Sequence, residues 1–169
     1  MNRQTKQKFL IAKRENLIRK YPTWTEEDLK SFNFYSKTDN SANALTRCIM
    51  DWITFNGGQA ERINTMGRRV DNRKTITDVM GYSRTVGSIE WQKGTGTKGS
   101  SDISATIPMQ INGMRIGVSV KIEVKFGKDR QSKDQKEYEK SINNVGGIYY
   151  TAKNIDDFVE WYEETFKNQ

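Results

Sequence analysis

The run from Arg115 to Phe126 constrains the fold more than any other stretch of the chain. Val118, Val120, Ile122 and Val124 alternate with Ser119, Lys121, Glu123 and Lys125. Successive side chains of a strand point to opposite faces, so this period of two predicts a strand with one β-branched face for a core and one polar face. Ile111-Asn112-Gly113-Met114 precedes it. Asn-Gly accepts the positive φ of a two-residue turn, which makes the strand the second arm of a hairpin whose first arm is Ser101 to Pro108.

Helical signals surround this hairpin. Leu45, Ile49, Trp52 and Ile53 recur at helical spacing over Ala42 to Phe55, and Asn56-Gly57-Gly58 stops them. Gln59 to Asn64 alternates like a strand. Ser132 caps a helix reaching Asn144, Gly147 to Ala152 reads as a buried strand, and Asn154 caps a last helix with Ile155, Phe158, Tyr162 and Phe166 inward. The pattern predicts an α/β fold with a mixed sheet and helices packed on it. Residues 1–40 read as a helical extension and 41–169 as the main domain. In the extension, Thr5 to Lys20 is a basic helix anchored by Phe9, Leu10, Leu17 and Ile18, ended by Tyr21-Pro22. Thr25 and Asp28 form a capping box for a short second helix. Residues 65–100 are rich in Gly, Thr, Arg and Asn and too long for a structureless loop, so hairpins are expected there, with strand pieces near Ile76 and at Ser88 to Gln92.

Composition removes most catalytic chemistry. The 169 residues include no His and one Cys, Cys48. That excludes a Ser-His-Asp triad, a Cys-His dyad, a His-ligated zinc site and an intramolecular disulfide. Carboxylates, Lys, hydroxyls and a hard, oxygen-seeking cation remain. No apolar run reaches the ~18–20 residues of a membrane span and no signal peptide is legible, so no membrane partner is expected and the free thiol suits a reducing cytoplasm. The formal charge is +7. Residues 1–40 and 41–100 each hold 9 basic and 5 acidic side chains, whereas 101–169 hold 10 and 11. A basic surface outside an acidic C-terminal helix points to a polyanion.

The chemistry concentrates at Gly99-Ser100-Ser101-Asp102 and Glu123-Val124-Lys125. Glu123 and Lys125 lie two apart on the strand and share its polar face, and Asp102 opens the paired strand beside them. Two neighbouring carboxylates repel unless a cation lies between them. Magnesium takes one or two carboxylates and completes its shell with water and phosphate, and the Val124 carbonyl is a third candidate oxygen. Glu-x-Lys on a strand is by itself an ordinary surface ion pair, worth little; Gly99 and Asp102 across the hairpin tip the balance toward a site.

This constellation resembles the PD-(D/E)XK nuclease superfamily, and most nearly its VRR-NUC branch, akin to Holliday-junction resolvases. The resemblance covers about residues 42–152 and rests on Gly99, Asp102, Glu123, Lys125 and Gln135, followed by Gly146 to Tyr150. Ser101 stands where the family name has Pro. The resemblance implies a restriction-endonuclease-like central mixed sheet flanked by helices. It also implies hydrolysis of DNA phosphodiesters with magnesium or manganese, on branched or structured DNA. Asp102 and Glu123 would hold the metal, Lys125 would position or activate water, and Gln135 would contact the site. Gln135 also completes a capping box with Ser132. Relatives carry a Glu on the first core helix; here Asn43 or, on the following strand, Glu61 is the candidate replacement. A homodimer, with the N-terminal helices as its arm, and a bacterial or phage-infected cytoplasm are implied likewise. The alternative is a nucleic-acid-binding module with a degenerate, inactive site.

Arg62, Arg68, Arg69, Arg73, Lys74, Arg84, Lys93 and Lys98 precede or flank Asp102 and suit a groove that tracks phosphates, with Lys133, Lys136 and Lys140 as a second row. Tyr82 and Trp91 lie among them. Stacking on a base competes with core packing, which is the expectation for Trp91.

Overall fold

The Asn-Gly signal produces the turn it predicts: Asn112 and Gly113 both take positive φ, 50° and 79°. In this computed structural model, which describes residues 1–32, 34–63, 67–92, 94 and 96–167, that turn joins β6 (Ile103–Ile111) to β7 (Met114–Val124) in antiparallel register. β1 (Gln59–Arg62) pairs antiparallel with β6, and β8 (Ile148–Ala152) pairs parallel with β7. The order β1-β6-β7-β8 makes a mixed four-stranded sheet. Asn64, expected in the first strand, and Lys93 lie outside the described residues.

The β-branched face of β7 goes where its pattern sends it. Val120, Ile122 and Val124 join Ile103, Ala105 and Ile107 of β6 beneath α3 (Ala42–Phe55) and α5 (Ile155–Phe166). From α3 come Leu45, Cys48, Ile49, Trp52 and Ile53; from α5 come Ile155, Phe158, Val159, Tyr162 and Phe166. Ser41 and Asn154 cap these helices by accepting the amide hydrogens of Ala44 and Asp157. The fold is mixed α/β, as expected.

The extension shares this core. α1 (Arg3–Lys20) places Phe9 and Ala12 in it, and Tyr35, beyond α2 (Glu26–Ser31), follows. The Phe9 ring lies 4.7 Å from Tyr35 and 4.9 Å from Trp52. The basic helix also meets the acidic one, where Lys8 bonds Glu163. Ile18, expected as an anchor, is exposed, because α1 turns only one narrow side to the body.

α4 (Lys133–Asn144) covers the opposite face of the sheet, against β8. The lower half of β7 is therefore buried on both sides, while its upper half is exposed.

Residues 68–92 form the expected hairpins, nested as one two-stranded ribbon. β2 (Arg68–Asp71) pairs with β5 (Ile89–Gln92), and β3 (Lys74–Thr77) with β4 (Ser83–Val86). Nearly every residue of the ribbon is exposed.

Candidate active site

Register assembles the site. Ile103 faces Ile122 and Ser104 faces Lys121, so the next step of the same ladder sets Asp102 opposite Glu123. Asp102 lies just before β6, where its carbonyl accepts the Ile63 amide hydrogen. Its Oδ2 accepts the Val124 amide hydrogen at 2.9 Å. One carboxylate oxygen is thereby tied to the end of β7, and no hydrogen bond from a described residue occupies the other.

Glu123 is arranged the same way. Its Oε1 accepts from Gln135 Nε2 and lies 3.0 Å from Lys125 Nζ. Its Oε2 is buried without a partner among the described residues. Ser100 Oγ is likewise buried without a partner among the described residues, as is the Trp52 indole nitrogen in the core; the buried Tyr149 hydroxyl faces the Gln131 side chain without a well-formed hydrogen bond. Glu123 Oε2 and Ser100 Oγ, buried and unpaired on either side of Asp102, suit a bound water or ion.

An ordinary Glu-x-Lys ion pair on the polar face of a strand meets solvent. Instead Glu123 is 2% exposed and Lys125 7%. The start of α4, through Gln135, and the Gly99 loop packed on it cover that face, and neither the strand's alternation nor its composition records the cover. Burial raises the Glu123 carboxyl above its ordinary value; the Lys125 ion pair opposes this and the Asp102 charge adds to it. Burial alone would lower the Lys125 ammonium, but its bonds to Glu123 and to Asp129, at 3.3 Å, outweigh that and raise it. Lys125 is thus held as a cation.

Gln135 caps α4 and bonds Glu123 at once. Its Oε1 accepts the Ser132 amide hydrogen at 2.9 Å, completing the capping box, and this orients Nε2 toward Glu123. Gly99 supplies the matching contact from the other side. Its φ is 79°, and a Cβ there would lie 2.4 Å from the Asp134 carbonyl oxygen, so only glycine lets this loop rest on the first turn of α4. Lys98 pairs with Asp134 at 3.2 Å beside it.

The third candidate ligand stays apart. Glu61 is exposed and pairs with Ser104, in the row of Lys121, one step from Asp102 along the same face. Asn43 is exposed in the first turn of α3 and bonds neither carboxylate. Among the described residues no group of three or more acidic or Cys side chains converges. A cation here would have Asp102, Glu123 and the Val124 carbonyl as its protein oxygens. That sparse, hard donor set fits magnesium or manganese, which fill their shells with water and phosphate. Asp129, paired with Lys125, and Tyr149, beside Glu123, join this cluster without a signal in the sequence. Tyr149 is reached only through the β7–β8 register, and Asp129 only through the loop after β7.

Comparison with family models, with curated proteins and with solved structures finds no match for the chain. Among the described residues no helix is long and apolar enough to cross a membrane.

The expected basic residues fall into three places. Arg62 ends β1; Arg68, Arg69, Arg73, Lys74 and Arg84 line the ribbon; Lys98 and Lys133 flank the start of α4. Arg73 is spent on Asp71 through two bonds, at 2.9 and 2.7 Å. Lys133 reaches Glu137 only at 3.9 Å and is highly exposed. Trp91 corrects an expectation: it is 65% exposed, because the ribbon has no second layer to bury it.

Proposed function

We propose that the chain is a metal-dependent DNA endonuclease whose centre is Asp102, Glu123 and Lys125, of the PD-(D/E)XK kind its motif resembles. One observation carries this reading: two adjacent carboxylates each give one oxygen to the scaffold and keep one free, and the free oxygen of Glu123 is buried. Such an arrangement costs stability unless it serves a cation. The mixed sheet flanked by helices and the covered polar face also support it.

Bound magnesium or manganese lowers the pKa of its water and polarises a phosphoryl oxygen. The Val124 amide fixes Asp102, and Gln135 fixes Glu123, so the ligand geometry is set before substrate arrives. Lys125, kept charged by Glu123 and Asp129, orients water and offsets charge gathering on the phosphate; an ammonium held this way does not act as a base. Lys98 and Lys133, beside the site, approach the flanking phosphates. Branched or structured DNA is the substrate class the resolvase likeness suggests, and a dimer would cut both strands.

Duplex, single-stranded, flap and four-way DNA, incubated with magnesium, manganese or EDTA, test the reading. Metal-dependent cutting that falls to the EDTA level in Asp102→Ala and in Glu123→Gln is expected. Cutting untouched by both substitutions sinks the site. Binding without cutting leaves an inactive module, the reading favoured by the lack of a third converging acid among the described residues.

A further inference from the structure

The ribbon of residues 68–92 ends in an apolar tip that the body of the protein does not use. Val79 is 103% exposed and Met80 78%. Such residues at a mobile loop end would mean little, but this tip is built. Asp78 Oδ1 accepts the amide hydrogens of Met80 and Tyr82, each at 2.9 Å, and the Asp78 amide donates to the Tyr82 carbonyl. Gly81, at φ 84°, makes the reversal. The hydroxyls of Thr77 and Ser83 bond across the base of the turn at 2.8 Å. Both halves of the ribbon keep one register centred on Met80, which places Val79 and Met80 at the apex.

Charge names the partner. Behind the tip, Lys74 and Arg84 share one face with Ile76 and Val86, and Thr75, Thr77, Ser83 and Thr85 line the other. Arg69, Lys74 and Arg84 form no ion pair with a described carboxylate. Ten residues of strand reach about 30 Å, and a two-stranded ribbon is narrow enough to lie along a groove of duplex DNA. Proteins that kink DNA press apolar side chains between base pairs from such elements.

We propose that the ribbon is a DNA-deforming arm: Lys74 and Arg84 hold phosphates while Val79 and Met80 wedge between stacked bases and kink the duplex. This rests on DNA being the ligand but not on the carboxylates being catalytic. A 30-base-pair duplex with end-attached fluorophores and a central 2-aminopurine reads both parts, with the full chain in EDTA to prevent cutting. Wild type is expected to shorten the end-to-end distance and raise 2-aminopurine emission. Val79→Ser/Met80→Ser is expected to abolish both signals while changing affinity less than about tenfold, since phosphate contacts supply most of it. Lys74→Ala/Arg84→Ala is expected to lower the salt slope of binding by about two. Binding with neither signal in wild type, or signals unchanged in the tip variant, overturns the proposal. So does a tip variant that becomes monomeric in sedimentation where wild type is dimeric, because the tip would then serve a second copy. A bent duplex that is never cut with magnesium keeps the arm and removes the endonuclease; no binding to any DNA removes both.

Discussion

If the proposed function holds, Glu123 is the residue where it and stability oppose one another. Its ionised form is the costly one in the fold, because burial raises its pKa despite Lys125. Below the ordinary carboxylate value both folded and unfolded chains are protonated and the cost vanishes; above the raised value it is present in full. Glu123→Gln keeps an acceptor for Lys125 and Gln135 and removes the charge. It is expected to raise the urea-derived stability at pH 7 by about 0.5–2 kcal/mol, the common gain from relieving a functional site. That gain should shrink toward about pH 4, and cleavage should be lost at every pH. A variant less stable at neutral pH would show that the carboxylate is structural. Gln135→Ala removes a bond to Glu123 and half of a helix cap. A drop of about 10–100-fold in metal affinity, read by manganese titration, is expected from losing a ligand's support.

At the scale of elements, the site exists because a loop and a helix end meet over a strand. Gly99→Ala tests that meeting. The substitution opposes a positive φ and drives a methyl into the Asp134 backbone, so about 2 kcal/mol or more of stability should go, with activity falling further than in the Gly113→Ala control, whose φ is also positive but whose surroundings are open. The ribbon is the contrasting element. A two-stranded hairpin without a second layer is marginal in water, so its amides are expected to exchange with deuterium far faster than those of β6 and β7. Equal protection would mean that a partner covers the ribbon in solution. Helix starts, the Asn-Gly turn and the long strand were legible because each is decided within a few residues: Ser132, Asn154 and Asn112 act on their own neighbours. The packing of α4 over Glu123 was reached only through the family likeness that set Gln135 at the site; α4 buries none of its own side chains fully, so its residue pattern alone does not record it.

Across the whole molecule, one core joins the first helix to the last. Phe9 packs, tilted, against both Tyr35 and Trp52, so Phe9→Ala should cost about 3–5 kcal/mol and leave a single unfolding transition followed by both tryptophan fluorescence and circular dichroism. Two separated transitions would make residues 1–40 an independent unit. The sequence by itself determined the chemistry available: without His, and with a single Cys, the hydrolysis proposed above would have to rest on carboxylates and a hard cation. It determined the hairpin, its core face and the motif residues, all properties of period, turn and residue type. Tertiary structure alone decided that Glu123 and Lys125 are buried, that Asp102 spends one oxygen on Val124, and that Glu61 stays a row away. It also decided that Trp91 is exposed on a ribbon instead of packed in the core. Burial and register depend on which segments distant in the chain come to lie together, and a local pattern of residues holds no record of its cover.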